Sequence, residues 1–358
     1  MQVSVNFDTN IYFYSVVLLT GIIAFIAIVR SLTLNTYHEA MGREYTASMK
    51  GLMALLVLFC HFSVRIEHLW LPFKMLRNIG LPAVTVFLFT SGYVEMIQLR
   101  RKADKYYDGF VSRKLIRIYL PWFISTILFA VMCKVSSFPE ILKGLFLFKT
   151  LYRENTYNWF IIFIIFCYLV VFAYGFIYKN RTEYDDKGLL MLLFIASAIW
   201  LIACVYLRKS NNWYVNSFSF LLGAIFANYK EKTSELCKSK MVLVCSAIGA
   251  VALFVIPMVL PNSMRNIVWM LDTIPVLVFV FSLSMHTKMC SKTLAFLGNI
   301  SLEIFLVGTG VFLLYYSRFE MKSISIILVI AIVIVVAKGL SGCSSVISKA
   351  TSSRKNNI

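Results

Sequence analysis

Residues 49–65 read MKGLMALLVLFCHFSVR, an apolar run with a single histidine near its end. A helix that spans a membrane needs about 20 mostly apolar residues, and runs of this kind recur along the whole chain. We place them at 11–29, 49–65, 81–99, 115–133, 157–178, 189–207, 213–229, 241–260, 266–285, 293–316 and 323–338. The sequence therefore predicts an all-α, polytopic membrane helix bundle with about ten core transmembrane helices plus one extra at the N-terminus.

The composition excludes several other classes of protein. Of the 358 residues, 59% are hydrophobic and only 15% are charged, whereas a soluble domain is nearer half apolar and a quarter charged. The net charge of +18 does not indicate nucleic-acid binding, because the basic residues form short clusters between apolar runs, as in membrane proteins. The eight cysteines show no CxxC spacing, so a zinc or redox site has little support.

The chain divides into three predicted parts. Residues 1–47 hold the extra N-terminal transmembrane helix and a loop, 48–340 form the main transmembrane domain, and 341–358 form a polar, basic tail. The tail is rich in serine and lysine, so we expect it to be poorly ordered. The first apolar run has no basic segment before it and is too long for a cleavable signal peptide. The stretch 137–148 is too short to span and is expected to be interfacial or re-entrant.

Basic residues between the predicted spans set the orientation. The densest cluster flanks the loop after the third span and comprises Arg100, Arg101, Lys102, Lys105, Arg113, Lys114 and Arg117. Because Lys and Arg accumulate in cytoplasmic loops, this loop is predicted to be cytoplasmic. The N-terminus would then lie outside and the C-terminus inside the cell membrane.

His61 is the first candidate for chemistry. An ionisable group within a span is costly and therefore suggests function, and histidine is the usual general base near neutral pH. The alternative is a histidine whose ring is satisfied by a neighbouring helix.

The second candidate is the basic face of residues 112–122, SRKLIRIYLPW. Arg113 and Arg117 are four residues apart and share one helix face, with Lys114 one position round. Guanidinium groups bind phosphates bidentately, so such a face suits a phosphorylated ligand. Ordinary anchoring at the inner membrane surface explains the same charge. Three acids, Glu95, Asp272 and Glu303, also fall within spans, and a structural ion pair is the commoner explanation for each.

Four stretches resemble acyltransferase family 3, the integral-membrane O-acyltransferases that act on surface glycans. They are KGLMALLVLFCH (50–61), VFLFTSGYV (86–94), SRKLIRIYLPWF (112–123) and LAFLGNISLEIFLV (294–307). Two further stretches match the family more weakly, NWFIIFIIFCYLV (158–170) and FSFLLGAIFANYK (218–230). All of these stretches occur in the order typical of the family. This chain has Lys50 and Lys114 where the family usually has arginine, and Gly308 where it often has histidine.

The resemblance implies transfer of an acyl group, most often acetyl, from cytoplasmic acyl-CoA to a hydroxyl of a surface polysaccharide or its lipid-linked precursor. It implies that His61 is the catalytic base and that Arg113, Lys114 and Arg117 hold the phosphates of the donor. Acyl-CoA is then a substrate, and no permanently bound cofactor or metal is implied. The partners are acyl-CoA, a glycan acceptor and the lipid bilayer. An exporter of a polysaccharide or its precursor, without chemistry, and an accessory membrane subunit are the alternatives.

Overall fold

The computed structural model describes residues 7–32, 37–65, 71–133, 137–146, 158–178, 186–316, 319 and 325–355. These residues form helices joined by turns, and the only β-type pairing among them is an isolated bridge between Leu32 and Thr287. The all-α, polytopic fold predicted from the sequence is therefore confirmed.

Most helices follow the apolar runs of the sequence. They are α1 (Phe7–Ser31), α2 (Arg43–Arg65), α3 (Leu71–Lys74), α4 (Gly80–Lys102), α5 (Arg117–Met132), α6 (Phe138–Leu145), α7 (Asn158–Tyr178), α8 (Asp186–Tyr206), α9 (Ser219–Asn228), α10 (Lys230–Cys237), α11 (Lys240–Val255), α12 (Asn262–His286), α13 (Lys292–Asn299), α14 (Ser301–Tyr316) and α15 (Ser325–Lys355). Within the described residues, eight helices are long and apolar enough to cross a membrane, or nine if α13 and α14 together form one span bent by 76°.

One predicted span, 213–229, does not form a continuous long helix. Only α9 forms there, and its ten residues reach about 15 Å, half of the hydrocarbon core. The segment before it contains Asn216, a buried polar residue. Asn216 accepts a hydrogen bond from the hydroxyl of Thr85 (2.7 Å) and donates one to the carbonyl of Leu81 (3.3 Å). These bonds hold the segment against α4 as a turn.

The prediction of a poorly ordered C-terminal tail is wrong, because α15 continues without a break to Lys355. A helix is costly to nucleate but gains one hydrogen bond for each residue that is added to it. The apolar first half of α15 is anchored in the bundle by Ile326, Val329 and Val333, which are fully buried. The polar second half therefore extends a helix that already exists.

Two close helix contacts fix the centre of the bundle. Gly51 of α2 faces the backbone of α13 at Leu294, and Gly298 of α13 faces the backbone of α2 at Ala47, with no room for a side chain at either glycine. Gly92 of α4 lies against the carbonyl of Phe220 in the same way. Small residues of this kind let membrane helices approach closely. The first contact seats the start of α2, and Lys50 with it, beside the bend between α13 and α14.

Candidate active site

An elongated cavity of about 730 Å³ lies among α2, α4, α5, α7, α14 and α15. Its long wall is one face of α4, on which Val84, Phe87, Ser91, Val94 and Gln98 follow at helical spacing. Val84 and Gln98 are fourteen positions apart, which corresponds to about 21 Å along the helix. The cavity wall is thus extended along α4, and its chemistry changes from place to place.

One end of the cavity is basic. The cations that line it are Lys50, the eighth residue of α2, Lys114 in the π-helical turn Val111–Ile116, and Arg117 at the start of α5. The three charges are close enough for Lys114 and Arg117 to act electrostatically on Lys50. The sequence predicted a basic face of Arg113 and Arg117 with Lys114 one position round, and the fold brings Lys114 and Arg117 into this wall. The side chain of Arg113, the third predicted donor-binding residue, lies outside the described part of the structure.

Lys114 is held in place by a buried network. Its ammonium lies 2.5 Å from a carboxylate oxygen of Glu95, and the two side chains are only 14% and 3% exposed. The hydroxyl of Tyr106 donates a hydrogen bond to the other Glu95 oxygen, and the ring of Tyr168 lies 5.4 Å from the ammonium. Burial, and then the charge of Glu95, raise the pKa of Tyr106 above its usual value, so that it remains a donor. Glu95 thus makes the structural ion pair considered from the sequence.

A carboxylate and hydroxyl groups also line the basic end. Glu303, in the first turn of α14, is 8% exposed and interacts with the hydroxyl of Ser341 and the charges of Arg117 and Lys338. Ser341, Ser344 and Ser345 come from the second half of α15. Asp272, the remaining intramembrane acid, does not line this cavity and is buried in α12.

The cavity wall also has an apolar part, which lies next to His61. Phe160 of α7 and Phe305 of α14 line it, with ring centroids 5.1 Å apart. The ring of Phe305 also meets the ring of His61 edge to face, at 6.3 Å between centroids. His61 itself is half-buried and does not line the cavity. One aromatic ring therefore lies between the candidate base and the cavity.

Gly308 explains how α14 comes to lie against α2. A side-chain carbon at this position would come within 2.7 Å of Leu58, so a larger residue would have to displace that leucine. Phe305 is one turn before Gly308 and is thereby brought against His61. The position at which the family often has histidine is here a helix contact.

Sequence reasoning found Lys114, Arg117 and His61 but missed much of the cavity wall. The spacing of Val84, Phe87 and Ser91 on α4 was a readable signal for one continuous face. No local pattern indicated that serines of α15, about 290 residues after Lys50, would line the same space.

A family model described as an acyltransferase domain matches residues 45–341 of the chain, which include the cations of the basic end, His61 and α14. The chain belongs to acyltransferase family 3. Neither a curated protein nor a solved structure matches it significantly. As a family 3 acyltransferase, the protein is a multi-pass membrane enzyme of acyl transfer. The cavity is its candidate active site.

Proposed function

We propose that this acyltransferase moves an acyl group, most simply acetyl, from acyl-CoA to a hydroxyl of a surface polysaccharide or its lipid-linked precursor. The observation that carries the proposal is the polarity of the cavity, whose wall has a basic part at Lys50 and Arg117 and an apolar part beside His61. CoA has the same polarity, with anionic phosphates at one end and a thin, uncharged arm that bears the thioester at the other.

Lys50 and Arg117 would bind the phosphates of the donor. Arg117 offers the planar donor pair that suits phosphate oxygens, and Lys50 adds a point charge next to it. Lys114 would contribute less than the sequence suggests, because Glu95 already neutralises its charge. The arm of the donor would extend along α4, against the apolar part of the cavity wall.

His61 would act as the general base. It would take the proton of the acceptor hydroxyl while that oxygen attacks the thioester carbonyl, forming a C–O bond and then breaking the C–S bond. The imidazolium would return the proton to the departing thiolate, which leaves as CoA thiol. For the thioester to reach His61, the ring of Phe305 has to rotate, or the thioester has to pass along the edge of that ring.

We place the basic end at the cytoplasmic face of the cell membrane, where the seven basic residues of the loop after α4 and acyl-CoA would both be found. The acceptor would then approach His61 from the other side. This arrangement rests on the charge distribution of the loops and on the depth of His61 in α2.

The test is acyl transfer by the purified protein in lipid vesicles, with labelled acetyl-CoA and a glycan acceptor. His61→Ala is expected to abolish transfer at unchanged membrane levels, because it removes the proposed general base. His38→Ala, in the segment before α2, is the matched control and should retain activity. Full activity of the His61 variant would refute the assignment. Loss of glycan export with normal acylation would favour the exporter instead.

A further inference from the structure

The second half of α15 is a wall of the cavity although most of it lies beyond the family domain. The family match ends at residue 341, whereas Ser344 and Ser345 also line the basic end. Ser341, Ser344 and Ser345 have the spacing i, i+3 and i+4, so they share one helix face. This part of the chain therefore adds hydroxyl groups to the cavity wall from beyond the matched family region.

The three hydroxyl groups on this face differ in their partners. The hydroxyl of Ser341 interacts with Glu303, and that of Ser345 donates to the carbonyl of Gly342 at 2.8 Å. The hydroxyl of Ser344 is buried and has no hydrogen-bond partner among the described residues. Buried polar groups are nearly always paired, so an unpaired hydroxyl in a cavity wall indicates a ligand or water.

Ser344 lines the same cavity as the cations Lys50, Lys114 and Arg117, which favour an anionic ligand. Among the described side chains, Lys114 is paired with Glu95, and Arg117 lies near Glu303, so the cations of the basic end are partly neutralised. A multiply charged phosphate ligand then needs neutral donors as well as cations. A serine hydroxyl supplies such a donor without adding charge that would repel Lys50.

We propose that Ser344 donates a hydrogen bond to a phosphate oxygen of the donor CoA, so that α15 completes the donor site together with Lys50 and Arg117. The inference rests on the proposed function, because it takes acyl-CoA as the ligand of the cavity. It adds a binding residue, and it gives the C-terminal part of the chain a role in donor recognition.

The experiment measures binding of CoA and of pantetheine, which lacks the phosphates, to the full-length protein in detergent. Ser344→Ala is expected to weaken CoA binding about ten- to a hundredfold, the value of one hydrogen bond to a charged acceptor, and to leave pantetheine binding unchanged. Ser344→Phe, which fills the same space, should weaken CoA binding further. Cys343→Ala, an exposed position in the same turn, is the control and should bind as the wild type does.

Three results would overturn the inference. The first is unchanged CoA binding by both Ser344 variants, which would assign the hydroxyl to water. The second is equal weakening of CoA and pantetheine binding, which would indicate a distorted helix. The third is a wild-type protein that does not bind CoA. A wild-type protein that binds CoA through Ser344 but transfers no acyl group would refute the proposed function and leave this inference standing. If Ser344→Ala transfers the acyl group with an unchanged KM for acyl-CoA, the proposed function stands and this inference is refuted.

Discussion

Glu95→Gln is expected to destabilise the protein strongly, because it removes the negative charge that faces Lys114. The wild-type pair is 2.5 Å apart and largely buried, and Tyr106 donates to the same carboxylate. Glutamine has nearly the same shape and can still accept from Tyr106, so packing is preserved. The substitution therefore isolates the charge, and it leaves an ammonium group in the bundle with no carboxylate beside it.

The size of the effect follows from burial. Breaking a buried ion pair by removing one partner costs about 3–5 kcal/mol. Lys114 is 14% exposed and borders the cavity, where water can reach it, so we expect the lower end, about 3 kcal/mol. The matched control is Glu39→Gln, which breaks the pair between Lys230 and a glutamate that is 76% exposed. An exposed pair of that kind contributes about 1 kcal/mol or less.

The free energy of unfolding can be measured by titration with sodium dodecyl sulfate in mixed micelles. Adding Lys114→Met to Glu95→Gln should recover part of the loss, because the double variant buries no unpaired charge. If Glu95→Gln is no more harmful than Glu39→Gln, or if the double variant loses the sum of the single losses, then Glu95 does not hold Lys114. Lys114 would in that case be available to the donor, as the sequence analysis supposed.

Two further predictions concern the basic end. Arg117→Ala should raise the KM for acyl-CoA at least several-fold and leave the KM for the glycan unchanged. The control Arg101→Ala, at an exposed position outside the cavity, should change neither KM. A changed KM for the glycan alone would reassign Arg117. A cysteine at Lys105 should escape a membrane-impermeant maleimide added to intact cells, while a cysteine at Asn212 should react, and the opposite pattern would invert the topology.

The parts of the fold that could be predicted from the sequence are the helices that cross the lipid bilayer. Backbone polar groups must be satisfied within each span, so apolar length alone located most of the helices. Residues 213–229 were wrongly predicted as a span, because Asn216 has hydrogen-bond partners on another helix, Thr85 and Leu81. The rule counts apolar residues, and it does not register a polar group that finds a partner across the bundle.

The candidate site was harder to predict because its parts meet only in three dimensions. Lys114 and Arg117 are near each other in sequence, and the basic cluster that contains them was visible. Glu95 was visible as an intramembrane acid, but its partner was not, since the intervening turn had to place Tyr106 and Lys114 around it. The helical tail was missed for a different reason. Serine and lysine content describes an isolated segment, whereas this segment continues a helix that the bundle already holds.

The separation between the basic end and His61 constrains the proposed reaction. Lys50 and His61 are eleven residues apart on α2, about 17 Å along the helix axis. Phosphates bound near Lys50 and Arg117 would leave the thioester to reach His61 past the apolar part of the cavity wall. If the basic end is cytoplasmic, the acyl carbon travels more than half of a hydrocarbon core about 30 Å thick before it reacts. Phe305 lies on that route, in contact with both Phe160 and His61. Donor and acceptor would then meet from opposite ends, and the ring of Phe305 would separate acyl-CoA from water on the acceptor side until the thioester displaces it.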